Sequence, residues 1–275
     1  MGLRSTRLLV KMIKEINTRY LDLLRANLFI MFQSMKEYKS NLYSILLIQI
    51  VFVSISYFIM FLIASNFGDV IGWSYLDFIM YSALIKIITQ AVGFFIWGNS
   101  ISASILSGSL NTHLLRPTDI KFQYYFSNLS SSAFIYFIFS VLELIILLLF
   151  FDSNFQISLY FILILFLLFL YHFLFFQVIE TLSFYYKQLD QQILKLVYPI
   201  NSTLSSYPID FFDKMRFKEI LFIIMYSLLA LLLFPSTYHY DKNIIVLLTL
   251  VLIVVFFVIF TFNWKIGLKK YEAFG

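Results

Sequence analysis

Apolar and polar positions along the chain fall into long blocks. Six windows of spanning length, 41–64, 77–98, 129–151, 157–178, 219–237 and 244–263, are almost continuously apolar. About 20 residues at 1.5 Å rise cross the roughly 30 Å hydrocarbon layer, so each window predicts a membrane-spanning helix. Barrel strands would alternate apolar with polar side chains, which these windows do not. The pattern predicts an all-α polytopic membrane protein with six transmembrane helices.

Residues 1–40 carry a different pattern. Leu9, Met12, Ile13, Ile16, Tyr20, Leu23 and Leu24 recur at helical spacing, and basic residues fill much of the remaining face. A solvated basic helix is one reading. The aromatic and leucine stripe favours the other, an amphipathic elbow helix lying in the membrane interface. The segment lacks the apolar core and small-residue cleavage site of a secretory signal, so it is expected to stay on the chain. Two parts result: an elbow at 1–40 and a transmembrane domain at 41–275.

One stretch fits two readings. Residues 188–207, QLDQQILKLVYPINSTLSSY, are moderately apolar and contain Pro199. They predict an amphipathic cytoplasmic helix. As a short, broken fifth span they would force 219–237 to be re-entrant and would move Lys214, Arg216 and Lys218 outward, against the charge rule.

Charge sets the orientation. Eight Lys/Arg lie in the first 40 residues, and the loops 99–128 and 179–218 and the tail after 263 hold most of the rest. Lys242 alone falls in a loop on the opposite side, and Lys86 lies within a span. With six spans, the positive-inside rule places both termini in the cytoplasm. Trp73, Trp97 and Trp264 sit at predicted span ends, as an aromatic belt would have them.

Composition agrees with this. Hydrophobic residues make up 61% of the chain and charged residues 13%, against roughly a quarter charged in soluble domains. The net charge of +5 follows from topology and gives no reason to expect nucleic-acid binding. With no cysteine, there is no disulfide framework or thiol nucleophile.

Catalytic chemistry is thin. No phosphate loop is present. His113, His172 and His239 are scattered, with no metal-ligand partner at i+3 or i+4, and their default role is structural. Lys86 and Glu143 do lie within spans, each about 13 Å below the outer end by helical rise. An unpaired charge there is expensive, so the two are expected to pair, with Gln90 one turn from Lys86 on the same face. They would either line a translocation path or clamp the second and third spans together. Glu180 and Asp190 are expected at the cytoplasmic boundary, in reach of water.

The polar stretch ILSGSLNTHLLRPTD, 105–119, falls in the cytoplasmic loop between the second and third spans. Leu106, Leu110 and Leu114 form a stripe at i, i+4, i+8, with Leu115 beside it. Gly108 leaves a notch for a close approach, Arg116 suits the last turn of a helix, and Pro117 stops it. The stretch predicts a short amphipathic coupling helix over about 105–117. It is either interfacial ballast or a docking element for a cytoplasmic partner.

Four stretches carry a family resemblance. They are MKEYKSN (35–41), ILSGSL (105–110) followed by Leu114, Leu115, Arg116 and Pro117, Tyr207-Pro208-Ile209 with Pro235, and the tail WKIGLKKYEAFG (264–275). Together they resemble permease subunits of ABC-2 type transporters, in the branch of roughly 260-residue, viologen-exporter-like permeases. The resemblance implies an exporter of a small amphiphile, lipophilic cation, antibiotic peptide or lipid. It implies a separate cytoplasmic ATPase dimer that carries ATP and Mg, with no cofactor on this chain and no enzymatic role for it. It further implies a second permease subunit, identical or different. Residues 105–117 would seat in the ATPase surface, and the N-terminal helix would be the elbow on the inner leaflet among membrane lipids. A competing class is a stand-alone secondary transporter or channel using Lys86 and Glu143. An intramembrane enzyme ranks last, for want of a nucleophile or metal site.

Overall fold

A computed structural model describes residues 2–71, 74–98, 100–115, 118–127, 129–150, 159–186, 192–193 and 242–271. Among these there is no strand. The helices are α1 (Gly2–Glu37), α2 (Lys39–Ile71), α3 (Tyr75–Ile96), α4 (Ile101–Leu106), α5 (Leu110–Leu114), α6 (Ile120–Ser127), α7 (Ser131–Phe150), α8 (Leu159–Thr181) and α9 (Lys242–Lys270). A 3₁₀ turn, Leu182–Phe184, closes α8.

Among the described residues, five stretches are long and apolar enough to cross a membrane: Lys39–Asn66, Tyr75–Leu106, Ser131–Leu149, Ile162–Phe184 and Val246–Lys270. They answer to five of the six windows, and the chain is a multi-pass membrane protein. The window 219–237 and all of the ambiguous 188–207 but residues 192–193 lie outside the described residues, as do Trp73, Asp190 and His239. The second stretch runs further than the 77–98 window and takes in α4, whose Ile101 and Ile105 are buried.

Short polar side chains start four of these helices, α3, α4, α6 and α7. Ser74 and Asp77 form a capping box on α3: the Asp77 carboxylate accepts from the Ser74 N–H at 2.7 Å while Ser74 Oγ accepts from the Asp77 N–H. Asp119 caps α6, its Oδ1 accepting from the Lys121 and Phe122 amides at 2.9 and 3.0 Å. Ser100 and Ser130 do the same for α4 and α7. Each cap satisfies helix-end donors that lipid could not.

α3 is the central helix and packs chiefly on α7, while α8 packs chiefly on α9. One core joins Phe78, Leu84 and Ile88 of α3 to Leu144 and Leu147 of α7 and Ile164 and Leu168 of α8. A second core, around the short helices, joins Ile101, Ile105 and Leu110 to Tyr124, Tyr125, Phe184, Phe260 and Trp264. Lipid is as apolar as these side chains, so close fit holds the first core together.

Two expectations change here. Trp264 is 1% exposed and packs inside the second core. It therefore belongs to no aromatic belt, whereas Trp97, at 42%, stays exposed. Glu180 is buried and does not reach water within the chain. Trp264 packs on Tyr124, Tyr125 and Phe184, and Glu180 lies close enough to Tyr125 to act on its phenol; span-by-span hydropathy does not record such contacts between distant segments.

Candidate functional site

The loop after α3 is built around one glycine. Gly108 has φ 70°, in the left-handed region that side chains disfavour. Its N–H donates to the Ile105 carbonyl at 3.2 Å and the Ser107 N–H to that of Ala103 at 2.9 Å, closing α4 in the manner of a glycine C-cap. Ser107 and Ser109 bond each other across the turn at 3.0 Å. The Asn111 N–H then returns to the Gly108 carbonyl at 3.1 Å, and α5 begins.

Residues 105–115 are therefore two helical pieces around a turn, and the expected single coupling helix is corrected. The left-handed residue breaks the i, i+4, i+8 phase. Leu110 is fully buried, while Leu106, Leu114 and Leu115 are exposed, Leu115 at 86%. Gly108 acts as the bend in the backbone. Arg116 and Pro117 lie outside the described residues.

Leu110 seats the loop in the second core, against residues from α4, α6, α9 and the 3₁₀ turn. His113 is buried beside it, its ring 6.2 Å from Tyr124 and nearly perpendicular. Tyr124 and Tyr125 in turn meet Trp264 at 5.8 and 5.9 Å, and Phe184 meets Trp264 edge-on at 5.4 Å. Burial first, then the negative charge of Glu180, pushes the Tyr125 phenol well above its usual pKa. A Cβ on Gly267 would overlap the Phe184 ring, so α9 and the 3₁₀ turn touch through a missing side chain.

The loop also meets α1. Tyr20 packs edge-on against Phe122 at 4.7 Å, and its hydroxyl accepts from the Asp119 N–H at 3.2 Å. Phe32 meets Phe134 of α7 at 5.5 Å. Sequence reasoning placed Tyr20 in the elbow stripe but had no signal for its partner, because ring contacts between distant segments leave no local pattern.

Within the spans, Lys86 Nζ lies 3.0 Å from Glu143 Oε1, tying α3 to α7. Their side chains are 21% and 7% exposed. The ammonium also lies 5.5 Å from the centroid of the Tyr57 ring on α2. Gln90, expected on the same face, bonds neither partner, and its amide oxygen is buried without a hydrogen-bond partner among the described residues.

The two polar features are thus separate: an ion pair inside the membrane and a leucine-tipped loop rooted in an aromatic core. Searches of curated proteins and of solved structures returned no match. A family model described as "ABC-2 family transporter protein" matches residues 50–275, a span that holds the ion pair, the loop and the Trp264 tail. The chain belongs to the ABC-2 transporter family.

Proposed function

We propose that the chain is the permease subunit of an ATP-driven exporter in a bacterial cytoplasmic membrane. It moves a small amphiphile, an antibiotic peptide or a lipid, and works with a second, identical or different permease subunit. ATP and Mg bind a separate cytoplasmic ATPase dimer. The observation that carries this reading is the loop 105–115. Leu106, Leu114 and Leu115 present an apolar tip among Ser107, Ser109 and Thr112, while buried Leu110 roots that tip in the bundle. A leucine tip on a polar loop suits a groove in a soluble partner. A push on such a tip is passed to α6, α9 and the 3₁₀ turn through close-packed rings rather than lost in a slack loop. The elbow α1 rides on the same assembly through Tyr20, and Arg116 with Pro117 would end the docking segment.

Leu114→Asp/Leu115→Asp tests it. The variant is expected to insert and fold as the wild type does but to lose ATPase co-purification and coupled export by at least tenfold. Normal export in that variant would remove the docking role.

The ion pair supports a second reading, a stand-alone carrier or channel that uses Lys86 and Glu143 in its path, with Gln90 beside them. Gradient-driven flux in vesicles free of any ATPase, abolished by Glu143→Gln, would establish it. Within the exporter reading the same pair clamps α3 to α7.

A further inference from the structure

We propose that the groove at the α1–α2 junction is a binding site for the anionic headgroup of a membrane phospholipid. α1 ends at Glu37 and α2 begins at Lys39, so one residue, Tyr38, joins the two helices. Its N–H donates to the Ser34 carbonyl at 3.0 Å, and its carbonyl accepts from the Leu42 N–H at 3.1 Å. Around this joint lies an open groove of about 340 Å³, lined by Phe32, Met35 and Lys36 from α1 and Lys39, Leu42 and Tyr43 from α2. That volume lies in the range of small-molecule pockets, about 300–1,000 Å³.

Among the described residues the lining carries two positive charges and no carboxylate. Glu37, between the two lysines in sequence, is outside the lining, and its carboxylate accepts from Gln33 Nε2 at 3.0 Å. Neither Lys36 nor Lys39 forms an ion pair among the described residues. The rest of the lining is apolar or aromatic, with Phe32 43% and Tyr43 67% exposed. A free anion would use only the ammonium groups. A phospholipid uses both halves: phosphate on Lys36 and Lys39, glycerol and the upper acyl chain on Phe32, Leu42 and Tyr43.

Depth agrees. Lys39 is the first residue of Lys39–Asn66, a stretch long and apolar enough to cross a membrane, and a basic junction at the end of such a stretch suits the headgroup level, with Leu42 and Tyr43 on its apolar side. This site is independent of ATPase docking and would stand if that reading failed.

The test uses the full-length chain, purified in mild detergent and offered phosphatidylglycerol or phosphatidylcholine. Native mass spectrometry counts retained lipid, and thermal melting reports stabilisation. The wild type is expected to retain phosphatidylglycerol at least tenfold over phosphatidylcholine and to melt higher with it. Lys36→Gln/Lys39→Gln should lose that preference about tenfold while melting normally in phosphatidylcholine. Lys36→Arg/Lys39→Arg should keep it, as should Lys265→Gln/Lys269→Gln at the end of α9. Equal retention of the two lipids, an undiminished preference in the Gln pair, or equal loss in the α9 pair would overturn the site. So would matching stabilisation by inorganic phosphate, which would reduce the groove to an anion contact.

Discussion

At Gly108 and Gly267 a missing side chain does the structural task, at the first through its backbone angle and at the second through space. At Gly108 the backbone is left-handed, which costs an ordinary residue about 1–2 kcal/mol. Gly108→Ala is expected to loosen the loop by that amount and to weaken ATPase retention more than overall melting, read by comparing pull-down yield with thermal stability. At Gly267 the obstacle is the Phe184 ring. Gly267→Ala should destabilise by about 1–3 kcal/mol, the usual range for overpacking, and Phe184→Ala in the same chain should recover part of the loss. The Lys86–Glu143 pair allows a cleaner separation of roles. Removing one partner strands a charge in the membrane, so Glu143→Ala should cost about 3 kcal/mol or more in stability. Lys86→Met/Glu143→Met strands nothing. If the pair is a clamp, that double variant melts near the wild-type temperature and still exports; if it lines a path, it melts normally and export is lost.

Among elements, the short helices and the ends of the long ones matter most. α4, α5 and α6 are too brief to be stable alone, since isolated helices below about 12–15 residues are marginal. Their order comes from the second core, where Leu110, Tyr124, Phe184 and Trp264 meet. Two neighbouring leucines should therefore fail differently. Leu110→Ala opens a cavity and should destabilise by about 2–5 kcal/mol, while Leu115→Ala, at a fully exposed site, should leave melting unchanged and weaken only ATPase retention. Trp264→Ala should uncouple the loop from α9, giving an ATPase-bound complex whose ATP turnover no longer drives export. Parallel assays of ATPase activity and transport on one preparation separate these outcomes.

At the scale of the whole molecule, the described spans differ in how far their neighbours enclose them. α3 is largely enclosed by its neighbours, whereas α2 and α9 show long apolar faces such as Phe52, Phe58 and Phe61 or Val254, Phe257 and Phe262. Orientation can be tested without background, because the chain has no cysteine. With the loop in the cytoplasm, Leu115→Cys in intact cells should resist a membrane-impermeant maleimide and react at once in inverted vesicles. Labelling in intact cells would reverse the topology.

Five span positions, the helical character of the N-terminal segment and the family were legible in the sequence. Each rests on a local property: runs of apolar residues, periodicity over a few turns, or short motifs. The Lys86–Glu143 contact was legible too, since matching depths of opposite charge in adjacent spans leave few other partners. The phase of the loop was hidden. Leu106, Leu110 and Leu114 share a face only if the helix is unbroken, and nothing in their spacing says that Gly108 takes a left-handed conformation. The burial of Trp264 and Glu180, the touch of Tyr20 on α6, and the fit of Gly267 to Phe184 were equally hidden, because each depends on which faces of distant helices meet. Hydropathy, summed along the chain, determined which segments enter the membrane. Side-chain packing between segments far apart in sequence decided which leucine anchors the loop and which are left exposed.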